Sequence, residues 1–323
     1  MFLCGVGKTL LIKESRMIRD FNEGQHNEGV FLCVDVRRDI TKKNKEYLSM
    51  VLQDGTGRID AKVWDVNQGI SLGVGDFIKC SYVIGSYNEK LQMTIKKYEI
   101  TTVSNPEDYA IKSKYSVDEM WECLLTVLNN VENEWMKKLL KAVMDDEFTE
   151  RFKKVPGARG VHHAFAGGLL QHTLFVTRIC SNIAKFYGKA VNRDLLITSA
   201  FLHDFGKLYE IEGFPAYEFS KAGSMQDHIF LGAEKIDGLC QGITGFPDEL
   251  RQNLIHCILA HHGELEFGSP VKPQLIEALI LSHVDNLDAK AEIFIENLES
   301  GENTYNRYLG TITYRTGGDL YGG

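Results

Sequence analysis

The sequence has no closely spaced pair of cysteines. Its seven cysteines are scattered along the chain without a C-x-x-C motif: Cys4, Cys33, Cys80, Cys123, Cys180, Cys240 and Cys257. An odd, scattered set argues against a disulfide framework and against a cysteine-rich zinc site. The pattern favours reduced thiols, and we therefore expect a cytoplasmic protein.

Long apolar runs are missing as well. No stretch approaches the roughly 20 apolar residues that a membrane-spanning helix needs. The opening residues, MFLCGVGKTLLIKES, lack the basic segment, apolar stretch and small-residue cleavage site of a secretory signal. We expect no membrane partner.

A complete phosphate-binding loop is also absent. Gly5-Val6-Gly7-Lys8-Thr9 resembles the end of such a loop, but Phe2 stands where the full motif needs another glycine. No strand-like run precedes it, although this loop normally follows a strand. We do not expect nucleotide binding of the P-loop kind.

The chain has no overall excess of positive charge. Its formal net charge is −8, with +2 on residues 1–105 and −10 on the remainder. Charge of this size is compatible with a soluble globular protein and bears on partners rather than on fold. It neither excludes nor favours a polyanionic substrate.

What the first third of the chain does contain is a series of strand-like runs. They cover residues 30–37, 47–52, 59–64, 77–85 and 91–95. Asp54-Gly55-Thr56-Gly57, between the second and third runs, is a hairpin signal. Five short strands with little helix predict a small closed barrel.

Beyond Asn105-Pro106 the apolar pattern becomes helical. Ser116 and Glu119 form a capping box before apolar residues that recur at helical spacing as far as Val143. Further helices are expected to carry His172, to run from Asn192 to Asp204, and to cover 230–236, 249–260 and 274–289. We therefore predict a multidomain protein, with a barrel over 1–105, an all-α domain over 106–300 and a tail over 301–323.

The histidines are concentrated in the helical region. Nine of the ten lie between His162 and His283, where an even distribution would place about four. Residues of metal-ligand type in this region are His172, His203, Asp204, His228, His261, His262 and Asp285. Imidazole nitrogens mixed with carboxylate oxygens, without a thiolate pair, suit manganese, iron or zinc. The sequence therefore predicts a metal-dependent active site.

Asp204 is the candidate bridge between two ions. Adjacent residues on a helix point about 100° apart, so His203 and Asp204 can flank a metal cluster from one helix end. The two carboxylate oxygens can serve two ions, with His172 and Asp285 on the first and His228, His261 and His262 on the second. Lys207 is placed to neutralise a phosphate oxygen. The alternative for Lys207 is a cation that interacts with a helix C-terminus.

The barrel sequence VDVRR…YLSMVLQDGTGRIDAKVWD resembles OB-fold nucleic-acid-binding domains, especially their L-x-D-x-T-G-x-I-x-A-x-x-W hairpin. Candidate nucleic-acid contacts are Phe31, Tyr47, Lys62, Trp64 and Tyr82, with Tyr87 as a further aromatic residue. The alternative is that most of the aromatic residues belong to the barrel core and only one or two contact bases.

The helical region carries GGLLQHTLxV, HDFGK, a spaced histidine, HHG and SHVD, which together resemble the HD superfamily of metal-dependent phosphohydrolases. An OB barrel ahead of such a domain is similar to the YhaM-type 3′-to-5′ exoribonucleases. By position, His172, His203, Asp204 and Asp285 match the HD metal ligands, and His228, His261 and His262 resemble those of binuclear members.

The resemblance implies further properties. We expect two divalent ions, with Mn²⁺ favoured over Fe, Zn, Co or Mg²⁺, and release of nucleoside 5′-monophosphates from 3′ ends of single-stranded RNA or DNA. His163, or His162 in its place, is expected beside the site as a phosphate or base contact. His256 and His283 match no ligand position, so a structural role is expected for both.

Three other functions remain open at this point. A phosphodiesterase for cyclic dinucleotides normally carries G-Y-P after the histidine pair, where this chain has Gly263-Glu264. The second is a phosphohydrolase for free nucleoside triphosphates, which would not explain the barrel. The third is a non-catalytic nucleic-acid-binding protein, against which the intact ligand set argues. Aromatic and arginine residues in the tail (Tyr305, Tyr308, Tyr314 and Arg315) indicate a homo-oligomer. The alternative is that the tail packs on its own domain.

Overall fold

The computed structural model divides the chain into two compact units, Met1–Ile111 and Lys112–Gly323. The structure describes residues 17–66, 71–88, 90–158, 163–300 and 305–314, without the side chain of Ser300. The loop-like segment at 5–9, His162 and Arg315 lie outside the described residues.

The first unit is a closed five-stranded barrel. Its strands are β1 (His26–Ile40), β2 (Glu46–Asp54), β3 (Gly57–Val63), β4 (Phe77–Tyr87) and β5 (Lys90–Thr101). They close in the order β1-β2-β3-β5-β4, with β3 and β5 parallel and the other pairs antiparallel. A five-stranded barrel of this kind is the OB fold. The predicted barrel is confirmed, and β1, β2 and β5 extend beyond their apolar runs at both ends.

The hairpin between β2 and β3 is held by Asp54. Its Oδ1 accepts hydrogen bonds from the Thr56 amide (2.7 Å) and hydroxyl (2.6 Å), and its Oδ2 accepts one from the Ile18 amide at 2.7 Å. Gly55 allows a close approach, because a Cβ there would lie 2.4 Å from the carbonyl oxygen of Asp108. Residues just beyond the predicted boundary at 105 therefore pack against the barrel and belong to the first unit.

Two of the candidate base contacts lie inside the barrel. Phe31 and Tyr82 are 1% and 2% exposed, and their ring centroids are 5.5 Å apart in an edge-to-face arrangement. Phe21 packs on Tyr82 at 5.4 Å. Aromatic rings buried in this way cannot stack on a base, so the expectation for Phe31 and Tyr82 is wrong and the core alternative applies to them.

The second unit is mainly helical. Its helices are α1 (Val117–Leu128), α2 (Glu134–Val143), α3 (Asp146–Phe152), α4 (Gly168–Tyr187), α5 (Arg193–Leu202), α6 (Lys207–Glu210), α7 (Lys221–Gly242), α8 (Asp248–Leu259) and α9 (Ile276–Ser300). Between α6 and α7 lies a small antiparallel pair, β6 (Ile211–Glu212) and β7 (Glu218–Phe219). The predicted helical domain is confirmed.

Side-chain caps explain where several of these helices begin. Ser116 caps α1 by accepting from the Glu119 amide, and Asn192 caps α5 by accepting from the Leu195 amide. The apolar run from 116 to 143 forms two helices rather than one, because Asn133 accepts from the amides of Trp135 and Met136 and starts α2.

Helices α6 and α7 approach each other closely next to the H-D-F-G-K motif. A Cβ at Gly206 would lie 1.8 Å from the carbonyl oxygen of His228, so only glycine fits there. Helix α7 is kinked at Asp227, whose φ is +65°. These two features place His228 beside the end of α5.

The described part of the tail contains a short hairpin. Strands β8 (Tyr305–Asn306) and β9 (Thr311–Ile312) pair antiparallel, in agreement with the lack of helical periodicity. Among the described residues, no helix combines the length and apolar character needed to cross a membrane.

Candidate metal centre

The predicted metal ligands come from five places in the helical unit and meet at one point. His172 lies on α4, His203 and Asp204 follow α5, His228 lies on α7, His261 and His262 follow α8, and Asp285 lies on α9. Most of these side chains are almost fully buried, so the packing of the helices fixes where their polar atoms lie.

One group of candidate ligands is formed by His172, His203 and Asp285. The Nε2 atoms of His172 and His203 are 3.1 Å apart. Asp285 Oδ1 lies 3.0 Å from His172 Nε2 and 3.6 Å from His203 Nε2. A second group, His228, His261 and His262, likewise has its ligand atoms within 4.8 Å of one another. The site therefore contains two adjacent sets of three donors.

Asp204 stands between the two groups. Its Oδ2 is 3.5 Å from His172 Nε2 and 3.4 Å from His203 Nε2. Its Oδ1 is 3.4 Å from His228 Nε2 and 3.7 Å from His261 Nε2. Each carboxylate oxygen thus faces a different set of imidazoles, which is the arrangement that a bridging carboxylate requires.

The imidazole rings are oriented by their outer nitrogens. Three Nδ1–H groups donate to backbone carbonyls: His203 to Ala200 (2.8 Å), His261 to Ile258 (2.6 Å) and His262 to Phe267 (2.8 Å). His172 Nδ1 instead contacts Asp288 Oδ2 at 2.6 Å. A proton held on Nδ1 leaves the lone pair of Nε2 directed inward, as metal-binding histidines require.

The site contains buried polar atoms that a metal ion would satisfy. Asp204 Oδ1, His228 Nε2 and His261 Nε2 are buried and have no hydrogen-bond partner among the described residues. Leaving a buried polar atom unsatisfied costs about 1–3 kcal/mol. Three such atoms from three elements converge, and a divalent ion would satisfy all of them with the nitrogen and oxygen donors that it prefers.

The site's charges also suit a cation. Burial alone would lower the pKa of His172, but hydrogen bonds to Asp285 and Asp288 outweigh it and raise that pKa to about 10. Burial would also lower the pKa of His228, but hydrogen bonds to Asp227 and Glu210 outweigh it and raise that pKa to about 9. The acidic residues around these rings therefore favour positive charge at the site, which is the charge that a divalent ion would bring.

Lys207 contacts the centre directly. Its ammonium nitrogen lies 2.7 Å from Asp204 Oδ2 and donates to the carbonyl oxygen of Gly157 at 2.6 Å. Burial opposes the charged form, but Asp204 outweighs it and raises the pKa of Lys207. An ammonium has three N–H donors. Lys207 also lines the cavity above the centre, so its remaining donor is near any bound anion.

His163 lies beside the candidate ligands but is enclosed by the protein. It is fully buried, and its Nε2 is 3.0 Å from Asp288 Oδ2, the same oxygen that contacts His172 Nδ1. A ring with no exposed surface cannot contact a phosphate or base, so that role is wrong for His163; the alternative, His162, lies outside the described residues. His163 instead supports Asp288, which orients a candidate ligand.

Sequence reasoning missed Asp288, Glu210 and Asp227. Asp288 follows Asp285 by one helical turn, a spacing that places both carboxylates on one face of α9. Glu210 Oε1 and Asp227 Oδ1 lie 3.4 Å and 3.1 Å from His228 Nδ1. Two features of the sequence could have indicated them: the spacing of three residues between Asp285 and Asp288, and the dipeptide Asp227-His228. His256 has the expected structural role, because its Nε2 accepts from the Gln274 amide at 2.9 Å.

A cavity of about 400 Å³ opens onto the centre. Its polar wall includes His172, Asp204, Lys207 and Asp285, and its apolar wall includes Phe219 and Phe267. Cavities of this size hold a small organic molecule or one unit of a larger one.

The barrel unit keeps another cluster of candidate contacts at its surface. Tyr47 and Trp64 stack with ring centroids 5.0 Å apart, and Trp64 is 43% exposed. Lys62 lies over the Tyr47 ring, with Nζ 5.3 Å from the centroid. Tyr87 is 66% exposed. An exposed aromatic pair beside a cation has the chemistry of a base-stacking surface.

Fold and site together define an OB-fold barrel joined to an HD domain; the HD domain family model matches residues 169–290. The 3′-5′ exoribonuclease YhaM of Oceanobacillus iheyensis is 30% identical over 87% of this chain and 90% of its own length. The chain belongs to the YhaM family. The proteins of that name from Geobacillus sp. and Listeria welshimeri are each 28% identical, over 89% and 85% of this chain and 90% and 88% of theirs.

Solved single OB domains resemble part of the chain. The second OB-fold domain of replication protein A from Methanococcus maripaludis aligns with 28% of this chain and 97% of its own, at 17% identity and a TM-score of 0.24. An OB domain from Methanosarcina mazei aligns with 32% and 94%, at 19% identity and a TM-score of 0.26. The fold assignment itself rests on the strand order of the barrel.

Proposed function

We propose that this protein is a metal-dependent 3′-to-5′ exoribonuclease that shortens single-stranded RNA to nucleoside 5′-monophosphates, with single-stranded DNA as the alternative substrate. The observation that carries the proposal is Asp204, whose two oxygens face two separate sets of imidazoles in a chain of the YhaM family. Hydrolysis of a phosphodiester at such a carboxylate-bridged pair is the chemistry that this arrangement serves best.

Seven side chains would hold two divalent ions: His172, His203 and Asp285 would hold one, His228, His261 and His262 the other, and Asp204 would contribute to both. When bound, such ions supply Lewis-acid catalysis of phosphodiester hydrolysis. Mn²⁺ is the favoured metal and Fe, Zn, Co or Mg²⁺ the alternatives, because the donors are imidazole and carboxylate without thiolate.

The chain's own residues position the substrate phosphate. Lys207 holds Asp204 through the 2.7 Å contact and directs its remaining N–H towards the cavity, where it neutralises a phosphate oxygen. Asp288 keeps His172 in one tautomer by accepting its Nδ1 proton. The electrostatic environment is therefore arranged before substrate arrives.

The barrel supplies affinity for single strands. Trp64 and Tyr47 offer stacking for bases, and Lys62 offers a charge for the backbone. Stacking on aromatic residues contributes roughly 1–3 kcal/mol per base and tolerates any sequence. This role suits an enzyme that degrades RNA without selecting a sequence.

Digestion of a 5′-labelled single-stranded RNA with Mn²⁺ tests the function. We expect a ladder that shortens from the 3′ end, with nucleoside 5′-monophosphates as products. Internal cuts, or attack from the 5′ end, would contradict the proposal. Parallel incubation with a cyclic dinucleotide and with a nucleoside triphosphate separates it from other reactions of HD domains.

We further propose a cytoplasmic homo-oligomer. The described tail exposes three tyrosines, Tyr305, Tyr308 and Tyr314, which are 59%, 73% and 64% exposed. Exposed aromatic residues are enriched where subunits meet. Light scattering at micromolar concentration tests the assembly, and a single 36.5 kDa species would contradict it.

A further inference from the structure

The cavity above the metal centre has an aromatic side that the proposed chemistry does not use. Phe219 and Phe267 both line it, and they are 43% and 58% exposed. Exposed phenylalanine rings keep apolar surface in water, which is unfavourable unless a ligand covers them. Their position beside a polar centre indicates a ligand with both an anionic and a flat aromatic part.

Phe267 is tied to the metal centre through its backbone. It ends the short 3₁₀ helix Leu265–Phe267, and its carbonyl oxygen accepts the Nδ1 proton of His262 at 2.8 Å. The following residue, Gly268, has a φ of +96°, which turns the chain sharply after the ring. One hydrogen bond therefore fixes the backbone of Phe267 relative to a candidate metal ligand.

Phe219 is tied to the centre from another element. It lies on β7 and pairs with Ile211, the residue that follows α6 with Lys207 and Glu210. The next amide, that of Ser220, donates to the Glu210 carbonyl oxygen at 2.8 Å. Both phenylalanines therefore sit on short elements that are hydrogen-bonded to residues of the candidate metal centre.

We propose that Phe219 and Phe267 form a subsite for the 3′-terminal nucleobase, which stacks on them while its phosphodiester lies at the metal centre. The inference rests on the proposed exonuclease function and names how one end of the substrate is held. Stacking recognises a base by its flat face and not by its edge, so the subsite accepts all four bases but requires that a base be present.

Binding of a product-like ligand tests the subsite without turnover. Adenosine 5′-monophosphate and ribose 5-phosphate carry the same sugar and phosphate, and only the first has a base. Calorimetric titration of the full chain with Mn²⁺ should show at least about tenfold tighter binding of the nucleotide. Phe267→Ala and Phe219→Ala should each weaken nucleotide binding several-fold and leave ribose 5-phosphate unchanged.

Two further variants guard against indirect effects. Phe267→Trp keeps an aromatic face and should retain the preference for the nucleotide. Phe186→Ala makes the same change at a phenylalanine that is 89% exposed at the end of α4 and does not line the cavity, so it should change neither affinity.

Hydrolysis gives the complementary result. An RNA whose 3′-terminal residue is abasic should be a poorer substrate for the wild-type protein, with the loss mainly in KM, and the two alanine variants should lose this discrimination. Equal binding of nucleotide and ribose 5-phosphate, or a preference that persists in both alanine variants, would overturn the subsite. Failure of the wild-type protein to shorten any RNA would instead overturn the proposed function.

Discussion

The barrel and the helical unit differ in how well the type of a residue predicted whether it lies at a functional site. In the helical unit all seven predicted metal ligands meet within one cluster, whereas the predicted contacts of the barrel separate into a core pair and a surface group. Phe31 and Tyr82 are buried in the barrel, and Tyr47, Lys62 and Trp64 lie together at its surface.

The difference follows from the chemistry of the side chains. A buried histidine or aspartate needs a partner for each polar atom, so several of them in one helical region predict a shared site. An aromatic ring is stable both in a core and under a stacked base. Its type therefore does not distinguish the two positions, and the following variants test that contrast.

The largest effect is expected at Asp204. Asp204→Ala removes a ligand from both metal groups, so it should reduce nuclease activity to background while RNA binding by the barrel remains. His228→Ala affects one group and should leave activity that higher Mn²⁺ partly restores. Metal content per subunit and turnover would be measured for both. Two bound metals and normal turnover in Asp204→Ala would rule out bridging.

Lys207→Ala should lower turnover on the order of a hundredfold, because it removes one charged donor near the phosphate. Metal content should not fall, since Lys207 is a cation that contacts Asp204 and is not a ligand. Lys207→Arg keeps the charge and should recover part of the rate. Loss of metal together with loss of rate would show that Lys207 acts by holding Asp204 in place.

Asp288→Asn should weaken metal binding about 10–100-fold, because a supporting carboxylate that orients a ligating histidine has effects of this size. Mn²⁺ titration of activity and direct metal binding would both report it. Asp118→Asn, at a carboxylate whose side chain is 86% exposed, is the matched control. Unchanged metal affinity in Asp288→Asn would remove Asp288 and His163 from the functional site.

The smallest effect on activity is expected in the barrel, where a pair of variants compares surface with core. Trp64→Ala should raise KM for a long RNA roughly tenfold through lost stacking and leave cleavage of a dinucleotide unchanged. Phe31→Ala should instead lower the free energy of unfolding by about 3–5 kcal/mol, since it opens a cavity in the core.

Thermal unfolding and substrate-length dependence would be measured for both barrel variants. Equal loss on long and short substrates in Trp64→Ala would contradict the division of labour between barrel and helical unit. A stable Phe31→Ala with weak RNA binding would reverse the assignment of Phe31 to the core.

The sequence by itself determined the two folds and which histidines and aspartates are the candidate metal ligands. Strand-length apolar runs, the Asp54 turn and the caps at Ser116 and Asn192 act over a few residues, so they can be recognised without knowledge of the rest of the chain. The H-D pair and the clustered histidines indicated a metal site because buried imidazoles need partners.

Only the tertiary structure decided which groups touch. The contact between Asp288 and His172 joins residues 116 positions apart, and the burial of His163 depends on the same packing. Which aromatic residues of the barrel face inward was likewise decided by its closure. Residue spacing reflects local geometry, whereas these contacts form only when elements distant in sequence pack together. That packing places a different set of imidazoles beside each oxygen of Asp204.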